Sequence, residues 1–134
     1  MRAGAAKGAA RRFSFMPSQR IRRQRDFERV YRAGRKIDAV DFIVYYRANG
    51  RECDRLGLSV AKRRIGRAIR RNRTKRLLRE LFRRNPHTAV SGDRCRPAVD
   101  IVVVPRASML DAGFRELTQH WLDALRKIEA RLNR

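Results

Sequence analysis

The chain has 134 residues, with 35 Lys and Arg against 13 Asp and Glu, a net charge of +22. That balance excludes a cationic partner and points to a polyanion, nucleic acid by default, because phosphates neutralise the charge and release their condensed counterions. With 43% hydrophobic residues the chain can bury one modest core, so one domain is the natural count.

No apolar run approaches the eighteen or so residues of a membrane span, and the N-terminus lacks a signal-peptide core, which predicts a soluble cytoplasmic protein without a membrane partner. Cys53 and Cys95 are far apart and have no CxxC partner. Neither a disulfide framework nor a zinc site is supported, and a reducing compartment fits best.

Residues 1–17, MRAGAAKGAARRFSFMP, contain no acid. Their apolar area is too small to offset ordering entropy, so the segment reads as a flexible basic arm before a folded domain at 18–134. From Asp26 to Ala33, Phe27, Val30 and Tyr31 fall at i, i+3 and i+4, a short helix with an aromatic face. Gly34 then stands where a left-handed C-cap is expected. AVDFIVYYR, at 39–47, is β-branched and aromatic, and Asn49-Gly50 signals a turn before a second strand at Leu56–Ala61. These two are expected to pair antiparallel.

A basic helix follows, to about Arg84, stopped by Asn85-Pro86. Ten of the eighteen positions from Lys62 to Arg79 are Lys or Arg, with no acid among them. Leu77, Leu78, Leu81 and Phe82 share one helical face, and Asn72, Arg76, Arg79 and Arg83 lie opposite. Ile65, Ala68 and Ile69 fall off the packing face, so the loop KRRIG is expected to run to about Gly66. A solvated basic face needs acids at i+4 to balance it, and Glu80 is the only acid on this helix. After a loop containing Ser91-Gly92-Asp93, the apolar run AVDIVVVP at 98–105 predicts a central buried strand. The last helix, from Asp111 as N-cap, carries Phe114, Leu117, Trp121, Leu125, Ile128 and Leu132 on one face. The order α, β, β, α, β, α predicts an α+β fold, helices packed on a small mixed sheet.

Catalytic chemistry is not evident. A protein nuclease would want paired carboxylates for two metals or a positioned general base. His87 in a loop and His120 beside Trp121 read as surface or packing residues, and Asp26 and Glu80 as local helix partners of nearby arginines.

GLSVAKRRIGRAIRRNRTKRLLRELFR resembles the signature region of the bacterial ribonuclease P protein subunits: a GLSV-type strand, a Lys/Arg pair, and a helix carrying Arg71-Asn72-Arg73, Lys75-Arg76 and Arg79-Glu80. The resemblance extends to the DFxxVY helix, the FIVYY strand, VDIVVVPRAS and the Trp-bearing helix, over roughly residues 18 to 130. It implies a four-stranded mixed sheet like the second domain of ribosomal protein S5, with a left-handed βαβ crossover.

It also implies a holoenzyme, an endoribonuclease whose active site and magnesium ions belong to an RNA subunit and which removes the 5′ leader of precursor tRNA. The protein would be its non-catalytic subunit, with no dedicated metal site. Lys62, Arg63, Arg71, Asn72, Arg73, Lys75, Arg76 and Arg79 would meet the ribonuclease P RNA, since guanidinium pairs bidentately with phosphate. Phe27, Tyr31 and Tyr45 map onto a cleft for the single-stranded leader, whose bases stack on aromatic rings. Ordinary core packing is the other reading of those three. The alternatives are a structural or ribosomal RNA-binding protein, which leaves the Arg-Asn-Arg helix after GLSV unexplained, and a DNA-binding module, whose recognition helix would carry base-reading polar residues.

Overall fold

Six of the seven residues Val99–Pro105 are buried, and a strand apolar on both faces needs cover on both sides. The computed structural model describes residues 19–132 except 52, 62–64, 85–89, 92–93 and 96–97. The basic arm read at 1–17 therefore lies outside the described residues. In chain order the elements are α1 (Gln24–Ala33), β1 (Arg35–Asp38), β2 (Phe42–Ala48), β3 (Arg55–Leu58), α2 (Ala68–Arg84), β4 (Val90–Ser91), β5 (Arg94–Cys95), β6 (Val99–Pro105), a 3₁₀ turn (Ala107–Asp111) and α3 (Phe114–Leu132).

The main sheet runs β1-β2-β6-β3, and β4 and β5 form a separate two-stranded hairpin. β2 is antiparallel to both β1 and β6, while β3 is parallel to β6. Parallel neighbours require a crossover, and here α2 lies within it. The mixed α+β sheet is thus as expected, but its pairing is not. β2 and β3 are not partners, because β6 inserts between them. The Asn49-Gly50 turn exists, with Gly50 at φ 66° and Asn49 Oδ1 accepting from the Arg51 N–H at 2.8 Å. It leads into a loop instead of a hairpin. The antiparallel partner of β2 is β1, whose sequence RKID has one buried residue, Ile37, and carries little strand signal.

One sheet face presents Ile37, Phe42, Val44, Tyr46, Leu56, Ile101 and Val103 to Leu78, Leu81 and Phe82 of α2 and to Leu117, Trp121, Leu125 and Ile128 of α3. Trp121 sets its ring 5.9 Å from that of Phe42. On the opposite face, Val102 lies under Ile21 and Val30, with Phe27 and Tyr45 partly buried beside them. The alternation of side chains along β2 and β6 splits the apolar residues into these two layers.

Three local expectations are corrected. Gly34 is extended, with φ −87° and ψ 173°, so no left-handed cap is present. It is a glycine because a Cβ would lie 2.3 Å from the Val30 carbonyl oxygen and 2.6 Å from that of Tyr46. Asp111 ends the 3₁₀ turn and does not cap α3, which begins at Phe114. Asp26 does not pair along its helix but reaches Arg55 of β3, 3.7 Å away.

The turn between β1 and β2 places Val40 at φ 68°, an unfavourable region for a β-branched residue. Asp38 Oδ1 accepts the Val40 N–H at 3.0 Å, and Arg106 donates to the Val40 carbonyl at 2.7 Å and to both Asp38 oxygens at 2.7 and 2.8 Å. The Arg106 hydrogen bond, then the Val40 N–H, holds the Asp38 carboxyl down to about 2 from 3.8. A carboxyl depressed in the folded state adds stability that is present above about pH 4 and lost as pH falls towards 2. Asp38→Asn should therefore melt below the wild type near neutral pH, and the two should converge on acidification through that window. A gap that stays constant down to about pH 2 would contradict the clamp.

Candidate nucleic-acid interface

α2 is amphipathic in an unusual sense, apolar on one side and cationic on the other. Leu78, Leu81 and Phe82 are buried and Leu77 is partly buried against the core, while Asn72, Arg73, Arg76 and Arg79 are exposed and Arg71 and Lys75 are half-buried. Thr74, fully buried, satisfies its hydroxyl by donating to the Arg70 carbonyl at 2.9 Å. Gly66 at φ 93° separates α2 from what precedes it. Of the loop expected up to that residue, positions 62–64 lie outside the described residues, and Ile65 is helical, its N–H donating to the Ala61 carbonyl at 3.1 Å. Ile69 is 81% exposed, an apolar spot among the arginines.

Glu80 does not balance this face. It binds Arg83 at 2.6 Å and Arg84 at 2.8 Å, and the first of these holds its carboxyl below the ordinary glutamate range. The helix's single acid is thus spent at its C-terminal end. Among the described residues no acid pairs with the cations from Asn72 to Arg79, and the N-terminal end of the helix dipole adds to their charge. Lys62 and Arg63, expected to join this surface, lie outside the described residues, as does His87.

The aromatic face is built by matching α1 to one row across the sheet. Lys36, Tyr45, Val102 and Gly57 stand side by side on β1, β2, β6 and β3. Along α1, Tyr31 meets Tyr45 edge-on at 4.9 Å, Val30 lies over Val102, and Phe27 lies over Gly57. A Cβ on Gly57 would come within 2.9 Å of the Phe27 ring, so that glycine lets the ring lie on the sheet. Tyr31 is 39% exposed, whereas Phe27 and Tyr45 are half-buried and also pack the small core layer. Tyr31 is thus turned to solvent, while Phe27 and Tyr45 pack the small core layer.

The two surfaces meet. A groove of about 240 Å³ is lined by Phe27, Leu56, Leu58, Arg20, Lys75 and Arg79, so Phe27 shares a wall with the cations of α2. Arg20, joined by Arg22, was not singled out from sequence. The signal was the basic run QRIRRQR ahead of the first helix, and the parallel bridge from Arg20 to Leu56 brings it beside β3.

His120 is a structural residue, its Nδ1 3.0 Å from Asp41 Oδ2, with Ser108 donating to Asp41 Oδ1 at 2.9 Å. Asp41, Glu116 and His120 place ligand atoms within 4.8 Å of one another. They do not fit magnesium, which wants octahedral oxygen ligands, since one of the three is an imidazole and both Asp41 oxygens are engaged. Among the described residues no helix is long and apolar enough to cross a membrane.

The family model for ribonuclease P matches residues 15–129. The chain belongs to the ribonuclease P protein family. It is 37% identical over 120 residues to the ribonuclease P protein component of Thermotoga maritima, covering 87% of this chain and 97% of that one. To that of Legionella pneumophila it is 41% identical over 97 residues, 72% and 77% of the two chains. The solved Thermotoga maritima ribonuclease P protein superposes with a TM-score of 0.69 at 34% identity, over 82% of this chain and 97% of that chain. The expected family and α+β fold are both met.

If α2 is the main phosphate-binding surface, log affinity for a structured RNA should fall steeply with log salt. Arg73→Ala and Arg76→Ala should each flatten that slope by about 0.7 to 0.9. Slopes unchanged in both variants would remove α2 from the interface.

Proposed function

We propose that this chain is the non-catalytic protein subunit of a ribonuclease P holoenzyme, binding the RNA subunit and the 5′ leader of precursor tRNA during endonucleolytic maturation of the tRNA 5′ end. The observation that carries this reading is the α2 surface, where Arg71, Asn72, Arg73, Lys75, Arg76 and Arg79 follow the family motif on a helix whose only acid is engaged elsewhere. Guanidinium groups spaced along one helix suit backbone phosphates more than base edges. Lys62 and Arg63 extend the same basic run in sequence.

The aromatic face receives the leader. A single strand crossing Tyr31 and Tyr45 stacks its bases without regard to sequence, as a leader of variable sequence requires. The groove beside Phe27 takes the strand's phosphates between Arg20, Lys75 and Arg79. Magnesium would be held by the RNA subunit and the substrate, not by residues of this chain, and would supply there the activation of water for hydrolysis of one phosphodiester. This chain's part is to neutralise and orient, and it works in the cytoplasm with the RNA it binds.

Reconstitution tests the proposal. The purified protein should not cut precursor tRNA by itself, and mixed with the ribonuclease P RNA of its own organism it should restore leader removal at low magnesium, where the RNA alone is slow. Specific cleavage at the mature 5′ end by the protein alone would refute the non-catalytic role, and no gain on mixing would refute the subunit role.

A further inference from the structure

α1 lies across three strands, and its side chains meet them in turn. Phe27 stands over Gly57 of β3, Val30 over Val102 of β6, and Tyr31 against Tyr45 of β2. The apolar part of this seat is thin, with Ile21, Val30 and Val102 as its buried side chains, against the far larger cluster under α2 and α3. A ten-residue helix is marginal by itself and takes its stability from what it packs on, so a seat this small leaves the placement of α1 weakly fixed by burial alone.

The remaining tie is polar. Asp26, in the first turn of α1, lies 3.7 Å from Arg55, and the two side chains are 13% and 10% exposed. Among the described residues Asp26 is the one side chain of α1 in an ion pair, while Arg25, Glu28, Arg29 and Arg32 have none. Arg55 and Gly57 stand two apart on β3 and so share a face. The Asp26–Arg55 pair and the Phe27–Gly57 contact are therefore adjacent grips of one helical turn on one strand. Arg55 is a fixed anchor, since Asp100 already holds it by two hydrogen bonds at 2.7 and 2.6 Å.

The charge of Asp26 works against RNA. With Asp100 it outnumbers Arg55 by one negative charge, close to the groove lined by Arg20, Phe27, Lys75 and Arg79, and a carboxylate beside a phosphate strand opposes its binding. What Asp26 contributes there is position.

We propose that Asp26 is a positioning residue for the leader: by pairing with Arg55 it sets how α1 sits on the sheet, and with that where Phe27 and Tyr31 meet the strand. The inference rests on the leader-binding reading above and adds to it a residue that itself touches no RNA.

The test uses the holoenzyme assembled from the full chain and the ribonuclease P RNA, with precursor and mature tRNA compared under the same conditions. Asp26→Asn keeps the shape of the side chain and removes the ion pair. It should weaken precursor binding by about fivefold, the low end of a lost stacking contact, and leave mature tRNA bound as in the wild type. Assembly with the RNA subunit should also be unchanged, because Arg55 stays bonded to Asp100 and α2 is untouched. Glu28→Gln removes an exposed acid without an ion pair from the same helix and reads the effect of charge alone, so precursor binding should stay equal or tighten. Asp26→Glu, one methylene longer and still able to reach Arg55, should bind precursor as the wild type does.

Wild-type precursor binding in Asp26→Asn, with Tyr31→Ala still defective, would overturn the proposal and leave the leader reading standing. Precursor binding unaffected by Tyr31→Ala would sink the leader reading and the proposal with it. Equal losses for both tRNAs or weaker assembly in Asp26→Asn, or Asp26→Glu binding no better than Asp26→Asn, would show a defect of the fold instead of a lost position and would overturn the proposal as well.

Discussion

Arg55 sits at the junction of the structure. Its guanidinium donates to both oxygens of Asp100 at 2.7 and 2.6 Å, a bidentate bond between the parallel strands β3 and β6, and it reaches Asp26 of α1 at 3.7 Å. Asp100 also accepts from Asn49 at 2.9 Å, tying in the end of β2. The hydrogen bond to Asp100 raises the Arg55 pKa against its burial, so the charge stays on. α2 departs from β3 and returns to β6, and Asp26 immediately precedes Phe27. One buried arginine thus fixes the basic helix relative to the aromatic face. Removing one partner of such a buried pair costs about 3 to 5 kcal/mol, and here the damage would reach both surfaces.

The same economy of acids runs through the molecule. Asp38 holds Arg106, Asp41 meets Ser108 and His120, Asp54 accepts the Val99 N–H, and Glu80 holds Arg83 and Arg84. These carboxylates stitch turns, strands and helices together instead of neutralising the exposed basic face of α2. A chain at +22 is under strong self-repulsion, and spending its acids internally both secures the fold and leaves the outward field positive.

Much of this was legible in the sequence where the signal was periodic. The two faces of α2, the buried β6 and the apolar stripe of α3 all follow from spacing, while the order of elements predicts a small mixed sheet and the family motif its four strands. What escaped was pairing and close approach. RKID gives no strand pattern because only Ile37 is buried. The parallel neighbour of β3 lies some forty residues away, beyond any local rule. Gly34 and Gly57 are glycines because of backbone and ring contacts made across the fold, and the tie from Asp26 to Arg55 is likewise long-range.

The central claim is that one fold presents two surfaces with separable tasks, and holoenzyme binding of precursor against mature tRNA tests it most directly. Tyr31→Ala should weaken precursor binding by about 1 to 3 kcal/mol and leave mature tRNA, which has no leader, bound as before. Arg76→Ala should instead weaken assembly with the RNA subunit. Equal losses for precursor and mature tRNA in a folded Tyr31→Ala holoenzyme would contradict the account.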